Sequence, residues 1–285
     1  MARIRDDIPL VENVAPGQRA LIKPAVGRTW LDVHIEHTNI ALSEMKNIEV
    51  ILVSPTRSVT LWKFKDGTEL NELNKRYNRK VAAGTLSFYF RRTELDDEMQ
   101  RMSTALGTGG LQSVRIEFDI DENVTSPAVK AWGRKTANRH ISQSLLTYIG
   151  THNIGGNAEG ENHFDSIEKR DRIAAIHVLN DGVEKLELRV DDAVAYKLAR
   201  ARGDFEESLN DRTPYGAGVG RCIDFLLAGT LDESLVMQDR KTGYQVQQMR
   251  LTTTLGTGAG SQIRYLVEYL STWASVAGGN TQAAA

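Results

Sequence analysis

The sequence predicts an all-β protein built from two tandem jelly-roll β-barrels with short inserted helices. Three observations lead there. A stretch near the middle of the chain recurs near its end, short alternating strands follow one another throughout, and the 285 residues suit about two domains. Spacings of roughly 8–12 residues between strands, with one helix in each half, fit a sandwich or barrel rather than a parallel sheet.

The recurrence is RMSTALGTGGLQSVRIEFDID, from Arg101, against RLTTTLGTGAGSQIRYLVEYL, from Arg250. Arg101, Thr104, Leu106, Gly107, Thr108, Gly109 and Arg115 return as Arg250, Thr253, Leu255, Gly256, Thr257, Gly258 and Arg264, always 149 residues on. Two copies about half a chain apart imply two domains, because a solenoid needs shorter and more numerous repeats. This alignment predicts that Gly107 and Gly256 occupy equivalent hairpins.

Taken in order, residues 1–18 read as a polar N-terminal arm and 19–124 as the first jelly roll. Ala20 to Pro24 and Thr29 to His37 are strands; in the second, Leu31, Val33 and Ile35 alternate with polar neighbours. Asn47 to Val53 follows and stops at Ser54-Pro55, since proline cannot donate to a ladder. SVTLWKF ends at the turn pair Asp66-Gly67. Leu70, Leu73 and Tyr77 then have helical spacing, and Glu69, Glu72, Lys75, Arg76 and Arg79 are assigned to the wet face. The cluster Lys75, Arg76, Arg79 and Lys80 reads as solvated, as charge runs usually are. Gly84 to Arg92 is a strand, Glu94 to Glu98 an acidic connector, Gly107 to Gly110 a hairpin with positive φ, and VRIEFDID a strand.

Residues 125–168, rich in Ser, Asn, Gly and His, read as a connector with an exposed loop, and 169–273 as the second jelly roll. Val33-His34-Ile35 matches Ile176-His177-Val178, and Ile48-Glu49-Val50 matches Leu186-Glu187-Leu188. DDAVAYKLARARGDFEESL supplies the second helix, with Asp191 or Asp192 as its cap. CIDFLLAG corresponds to TLSFYFRR, a polar loop passes through Asp239, Arg240 and Lys241, and residues 274–285 form a flexible tail.

Composition excludes several functions. A net charge of -2 and a pI near 6.3 give no basic footprint for nucleic acid, so no sequence-specific nucleic-acid partner is expected. The single Cys222 cannot form an intramolecular disulfide or a cysteine-built metal site, and its apolar run marks it as buried and inert. The N-terminus lacks a signal-peptide core and no run approaches the ~20 apolar residues that span a bilayer, so a cytosolic origin is expected.

Duplicated barrels include bicupin metalloenzymes, but the six histidines do not cluster. His34 and His37 point to opposite faces of a strand, His34 and His177 match through common ancestry, and His140, His152 and His163 fall in the connector. A carbohydrate-binding sandwich would need aromatic platforms, whereas Trp30, Trp62, Trp132 and Trp273 are scattered. GAGVG, Gly216 to Gly220, reads as a turn, because a strand follows where a dinucleotide loop needs a helix. No nucleophile elbow, Walker loop or zincin helix is present. The run Asp119, Asp121, Asn123 begins like an EF-hand but has Val124 and Lys130 at the glycine and glutamate positions. Glu117, Asp119 and Asp121 nevertheless share one strand face, a candidate calcium site that a partner subunit could complete.

ALGTGGLQSVRIEFDIDE, RIAAIHVLNDGVEKLEL, IDFLLAGTLDESLVMQD and the early GQRALIKPAVGRTW resemble the major capsid protein of corticoviruses, from about Val11 to Trp273. These are tailless icosahedral bacteriophages with an internal membrane. The resemblance departs around Thr151 to Asn162 and after Trp273. It implies a non-enzymatic double jelly roll, made in a bacterial cytoplasm and carried in the virion. Pseudo-hexameric homotrimers would tile a shell around the inner bilayer, touching one another, a vertex or penton protein and viral membrane proteins. It implies no required cofactor, with calcium as a structural ion. Arg3 and Arg5, with the Ala/Gly-rich tail, are expected at the inner surface, where a basic arm can meet anionic headgroups.

Overall fold

The computed structural model describes residues 3–216, 218–239 and 242–278. The chain divides into two compact units, the first running to Tyr148 and resuming at Ser271, the second spanning Ile149–Leu270. Both are jelly rolls.

In the first unit the strands are β1 (Ile4–Asp7), β2 (Val11–Glu12), β3 (Arg19–Ile22), β4 (Thr29–Thr38), β5 (Met45–Val53), β6 (Ser58–Asp66), β7 (Thr85–Tyr89), β8 (Leu106–Gly107), β9 (Ser113–Ile120) and β10 (Ala128–Thr136). One sheet has the order β1-β10-β4-β7, with β8 also on β4, and the other β2-β3-β9-β5-β6. Strand β9 shows why the pattern folds this way. Val114, Ile116, Phe118 and Ile120 are buried, while the alternate residues stay partly wet. Each fully buried side chain of this kind is worth roughly 1.5–3 kcal/mol. Trp62 packs with Phe88 and Phe90 at ring distances of 6.3 and 5.1 Å, in the core of this barrel.

The second unit is built from β11 (Leu145–Gly155, whose first four residues count with the first unit), β12 (Gly160–Phe164), β13 (Arg172–Leu179), β14 (Val183–Val190), β15 (Ala193–Ala199), β16 (Arg221–Asp224), β17 (Leu235–Val236), β18 (Gln238–Asp239), β19 (Tyr244–Gln245), β20 (Met249–Leu255) and β21 (Gln262–Thr272, whose last two residues count with the first unit). Its sheets run β11-β21-β13-β16, with β17 also on β13, and β12-β20-β14-β15; β18 and β19 pair separately. Apart from β2 in the first unit and the β18–β19 pair in the second, the topology repeats that of the first unit, with β4 answering to β13, β9 to β20 and β10 to β21.

That correspondence corrects the predicted register of the duplication. The recurring sequence lays β9 over β21, yet β9 answers to β20. Arg101 to Thr104 lie in helix α2 (Glu98–Thr104), whose first turn is capped by Asp97 accepting from the Gln100 amide at 2.8 Å. Their counterparts Arg250 to Thr253 lie in β20, where a run of β-branched threonines favours strand. The jelly-roll pair stands, but it rests on matched strand order and not on that alignment.

The connector expected over 125–168 is also corrected, since it supplies β10 to the first barrel and β11 and β12 to the second. The arm is not free of the barrel either, because β1 pairs with β10 from Ile4↔Lys135 to Asp7↔Trp132. Helix α1 (Gly67–Arg76) forms as its spacing predicts, with Asp66 accepting from the Glu69 amide at 3.0 Å. In the second half, the first part of the expected helix is β15, and helix α3 covers Arg200–Leu209. Residues Trp273–Gly278 form helix α4, and the rest of the expected tail lies outside the described residues, as do Arg240 and Lys241. Ala217 of GAGVG lies outside them too, while Gly218 and Val219 make a turn.

Candidate functional site

The acidic face of β9 is compensated by cations of its own barrel. Arg19 on β3 donates to Glu49 at 2.6 Å, Glu117 at 2.9 Å and Asp119 at 2.8 Å. Asp119 also accepts from the Asn47 side chain at 2.8 Å, and these bonds outweigh burial to lower its pKa. Asp121 turns to Lys46 and accepts from the Asn123 amide at 3.0 Å, which together bring its pKa down to about 2. Calcium takes 6–8 oxygen ligands, so an ion here would have to displace Arg19 or Lys46. Among the described residues no group of three or more His, Cys, Asp or Glu is placed to hold a metal.

His34 and His177 occupy the same register in their barrels, opposite Ser87 and Cys222 respectively. His34 Nε2 lies 3.0 Å from Asp32 and Nδ1 lies 2.8 Å from the Ser87 hydroxyl. With Nε2–H donating to the carboxylate, Nδ1 accepts from Ser87, giving the connectivity of a serine hydrolase triad. Sequence inspection missed this constellation, because its members are spread over two strands 53 positions apart. Its surroundings are wrong for hydrolysis. Ser87 is 4% exposed in mid-strand, its carbonyl accepts from Asn74 at 2.8 Å, and Arg134 Nε holds Asp32 at 2.9 Å. A nucleophile needs an open approach and donors aimed at the oxyanion. Burial opposes ionisation of Asp32, but His34 and Arg134 outweigh it and lower the pKa, so the carboxylate stays charged as a cross-strand tie.

His177 is fully buried, with Nε2 3.0 Å from Glu268 and the Tyr215 hydroxyl 3.0 Å from Nδ1. Cys222, as expected, is buried beside Ala175 and Tyr215. The other histidines are tied separately, as a bicupin centre would not be. His37 Nδ1 donates to the Ile40 carbonyl at 2.8 Å, and burial lowers its pKa. His140 pairs with Ser142 at 2.7 Å in the first unit. His152 packs at a tilt against Phe164, and His163 meets Thr252 at 3.0 Å in the second. Trp30 and Trp62 are buried, which removes them as sugar platforms. An open concavity of about 540 Å³ in the second unit is lined by paired charges, including Arg250 with Asp165 at 3.0 Å and Arg189 with Glu187 at 2.9 Å.

The recurring glycines serve different ends. Gly107 is buried in β8, its amide donating to Ser144 at 3.0 Å, and an added Cβ would meet the Arg139 carbonyl at 2.7 Å. Gly256 lies in the turn after β20, its amide on the Gly182 carbonyl at 2.8 Å, and an added Cβ there would meet the Glu184 side chain. The expected equivalence of their hairpins therefore fails. Positive φ falls on Gly110 and Gly258, not on Gly107 or Gly109. Leu106 and Leu255 are both buried; the Thr108 hydroxyl donates to the Arg28 carbonyl at 2.6 Å, whereas that of Thr257 reaches Glu159 at 3.0 Å.

Two basic features are engaged within the first barrel, and one of them was expected to be solvated. Arg3 pairs with Glu98 at 2.6 Å and Arg5 lies 4.3 Å over the Trp132 ring, so both are engaged with the first barrel. Arg76 and Arg79, assigned to a wet helix face, are buried. Arg79 and Arg92 converge on the buried Glu94 at 2.8 and 2.9 Å, and their charges overcome desolvation to lower its pKa. Helical spacing could not reveal this, because the carboxylate comes from beyond the next strand.

Two sets of jelly-roll sheets in one chain define a double-jelly-roll protein. The comparisons agree. Residues 5–138 match the viral coat protein P2 N-terminal domain and residues 146–273 the viral coat protein P2 C-terminal domain. The major capsid protein P2 of Pseudoalteromonas phage PM2 is 29% identical over 280 residues, covering 92% of this chain and 95% of that protein. The crystal structure of the P2 protein from bacteriophage PM2 superposes with a TM-score of 0.85 at 27% identity, covering 95% of this chain and 98% of the other. At 9% identity the STIV MCP shares the fold alone, with a TM-score of 0.64 over 96% of this chain and 98% of that one. The chain belongs to the P2 family of corticovirus major capsid proteins, and its role is structural, in the virion shell.

Proposed function

We propose that three copies of this chain close into a pseudo-hexameric homotrimer, and that such trimers tile an icosahedral shell around an internal lipid membrane. The observation that carries this reading is the matched order of the main strands in the two barrels. One gene product then offers two similar blocks, so three-fold closure yields six of them, and closed symmetry leaves the outer edges for lattice contacts. Trimer contacts would be obligate and largely apolar, and trimer–trimer contacts many and modest. A vertex protein and viral membrane proteins complete the set of partners.

Calcium enters as a structural ion only where it outcompetes Arg19 or Lys46 for the β9 carboxylates. The basic arm enters only if Arg3 and Arg5 leave Glu98 and Trp132 for anionic headgroups. Light scattering on the purified chain, with calcium and with chelator, tests the assembly. Three times the 31.6 kDa chain mass is expected, and a monomer at every concentration would overturn the trimer. Flotation with anionic vesicles, comparing the native chain with the variant Arg3→Ser/Arg5→Ser, tests the arm. Weaker binding of the variant supports its role, and unchanged binding removes it.

A further inference from the structure

The second barrel carries a helix with its polarity turned inside out. Helix α3 buries Gly203 and Glu207, while Phe205 and Leu209, one turn apart, are 66% and 67% exposed. A surface helix ordinarily turns its apolar stripe to the core. Here the inward face is dictated by close approach, since a Cβ on Gly203 would collide with Arg221. The apolar face is left outward.

The strand leading into this helix has the same character. β15 is the last strand of its sheet, reads AVAYKLA, is nowhere fully buried and exposes Val194 at 48%. Its only charged residue is Lys197, which pairs with Glu187 at 2.8 Å. Soluble proteins normally blunt such an edge with charge, proline or a covering element.

The first barrel shows what the position looks like when it is covered. Its equivalent edge strand β6 is packed by α4 from the C-terminal end of the chain, and Trp62 donates to the Thr147 carbonyl at 2.7 Å. Its helix α1 turns Leu70 and Leu73 inward. The same place in the fold is thus closed by this chain in one barrel and left apolar and open in the other.

The geometry points to a subunit contact at this place: the outer edge of β15 with Phe205 and Leu209 of α3 is covered by a second copy of this chain. The inference deepens the self-assembly reading and rests on it. A second copy is the occupant that reading supplies at high local concentration, and a contact between unlike surfaces is the kind that closes a ring. Two outward apolar anchors beside a pairing-competent edge match the composition of an interface centre.

The test compares solution masses of the native full chain, Phe205→Asp/Leu209→Asp, Val194→Lys, and the control Met99→Asp, which alters an 82% exposed residue of the first unit. Far-UV circular dichroism and melting temperature check that each variant is folded. The expected result is that native chain and control keep the oligomer mass, while both patch variants fall towards a single chain, with association weakened about a hundredfold. A native oligomer that survives unchanged in both folded patch variants would overturn this contact and leave self-assembly standing. A native chain that is monomeric throughout would overturn both.

Discussion

The two barrels place a histidine at one register position and secure it by different means. In the first, the carboxylate is Asp32, two residues earlier on the same strand and shared with Arg134 across the ladder. In the second, Ala175 stands where Asp32 does, and the carboxylate is Glu268, across the ladder where Arg134 stands. Strand order has been kept while the polar network was rebuilt around one retained side chain. Hydrophobic pattern and topology therefore carry the duplication, and buried polar pairs are local solutions that each barrel finds for itself.

The largest test of this contrast lies in the first barrel's Arg79–Glu94–Arg92 cluster. Glu94→Gln leaves two arginines buried without their carboxylate and should cost about 3–5 kcal/mol in denaturant unfolding. A loss below about 1 kcal/mol would mean the cluster is hydrated rather than buried. Next, His177→Ala removes a hydrogen-bond partner of the buried Glu268 and opens a void, with an expected loss of roughly 2–4 kcal/mol. His34→Ala should cost less, about 1–2 kcal/mol, because Asp32 keeps Arg134. Equal losses at the two histidines would break the comparison.

Acid should act through the lowered carboxylates. The folded pKa values of Asp32 and Glu94 lie below their ordinary values, and that of Asp121 falls to about 2. The unfolded chain then binds more protons, so the stability these groups give is complete above the ordinary carboxylate range and is lost as pH falls through the folded values. Melting temperature should fall as pH drops, gently below about 6.5, where buried His37 resists the proton the unfolded chain accepts, and steeply through the carboxylate range towards pH 2. A rise on acidification would reverse the sign and contradict the pairing. The smallest effect is expected at Arg19→Ala, whose ion pairs are partly exposed and worth under about 1 kcal/mol.

The sequence carried the architecture through alternation. β4, β5, β9 and β13 can be read from it, and so can the match of His34 with His177 and of Val50 with Leu188. Those matches favour a shorter offset than the more conspicuous one, since each pair is closer in sequence than Arg101 is to Arg250. Identical letters at Leu-Gly-Thr-Gly outweighed them, although a short glycine run adapts to a buried strand as readily as to a turn. Residues 125–168 looked like linker because serine, asparagine and glycine dominate, yet Ala131, Ile141, Leu146, Ile149 and Phe164 are buried. The Ser87–His34–Asp32 chain and the buried arginines were illegible, because each depends on which strands become neighbours.

The central claim is that two barrels in one chain do the work of two subunits. Electron cryomicroscopy of the assembled shell tests it most directly. The account predicts capsomers with six barrel densities of two alternating kinds and three copies of this chain in each. Capsomers of six complete chains, or of any number other than three, would contradict it.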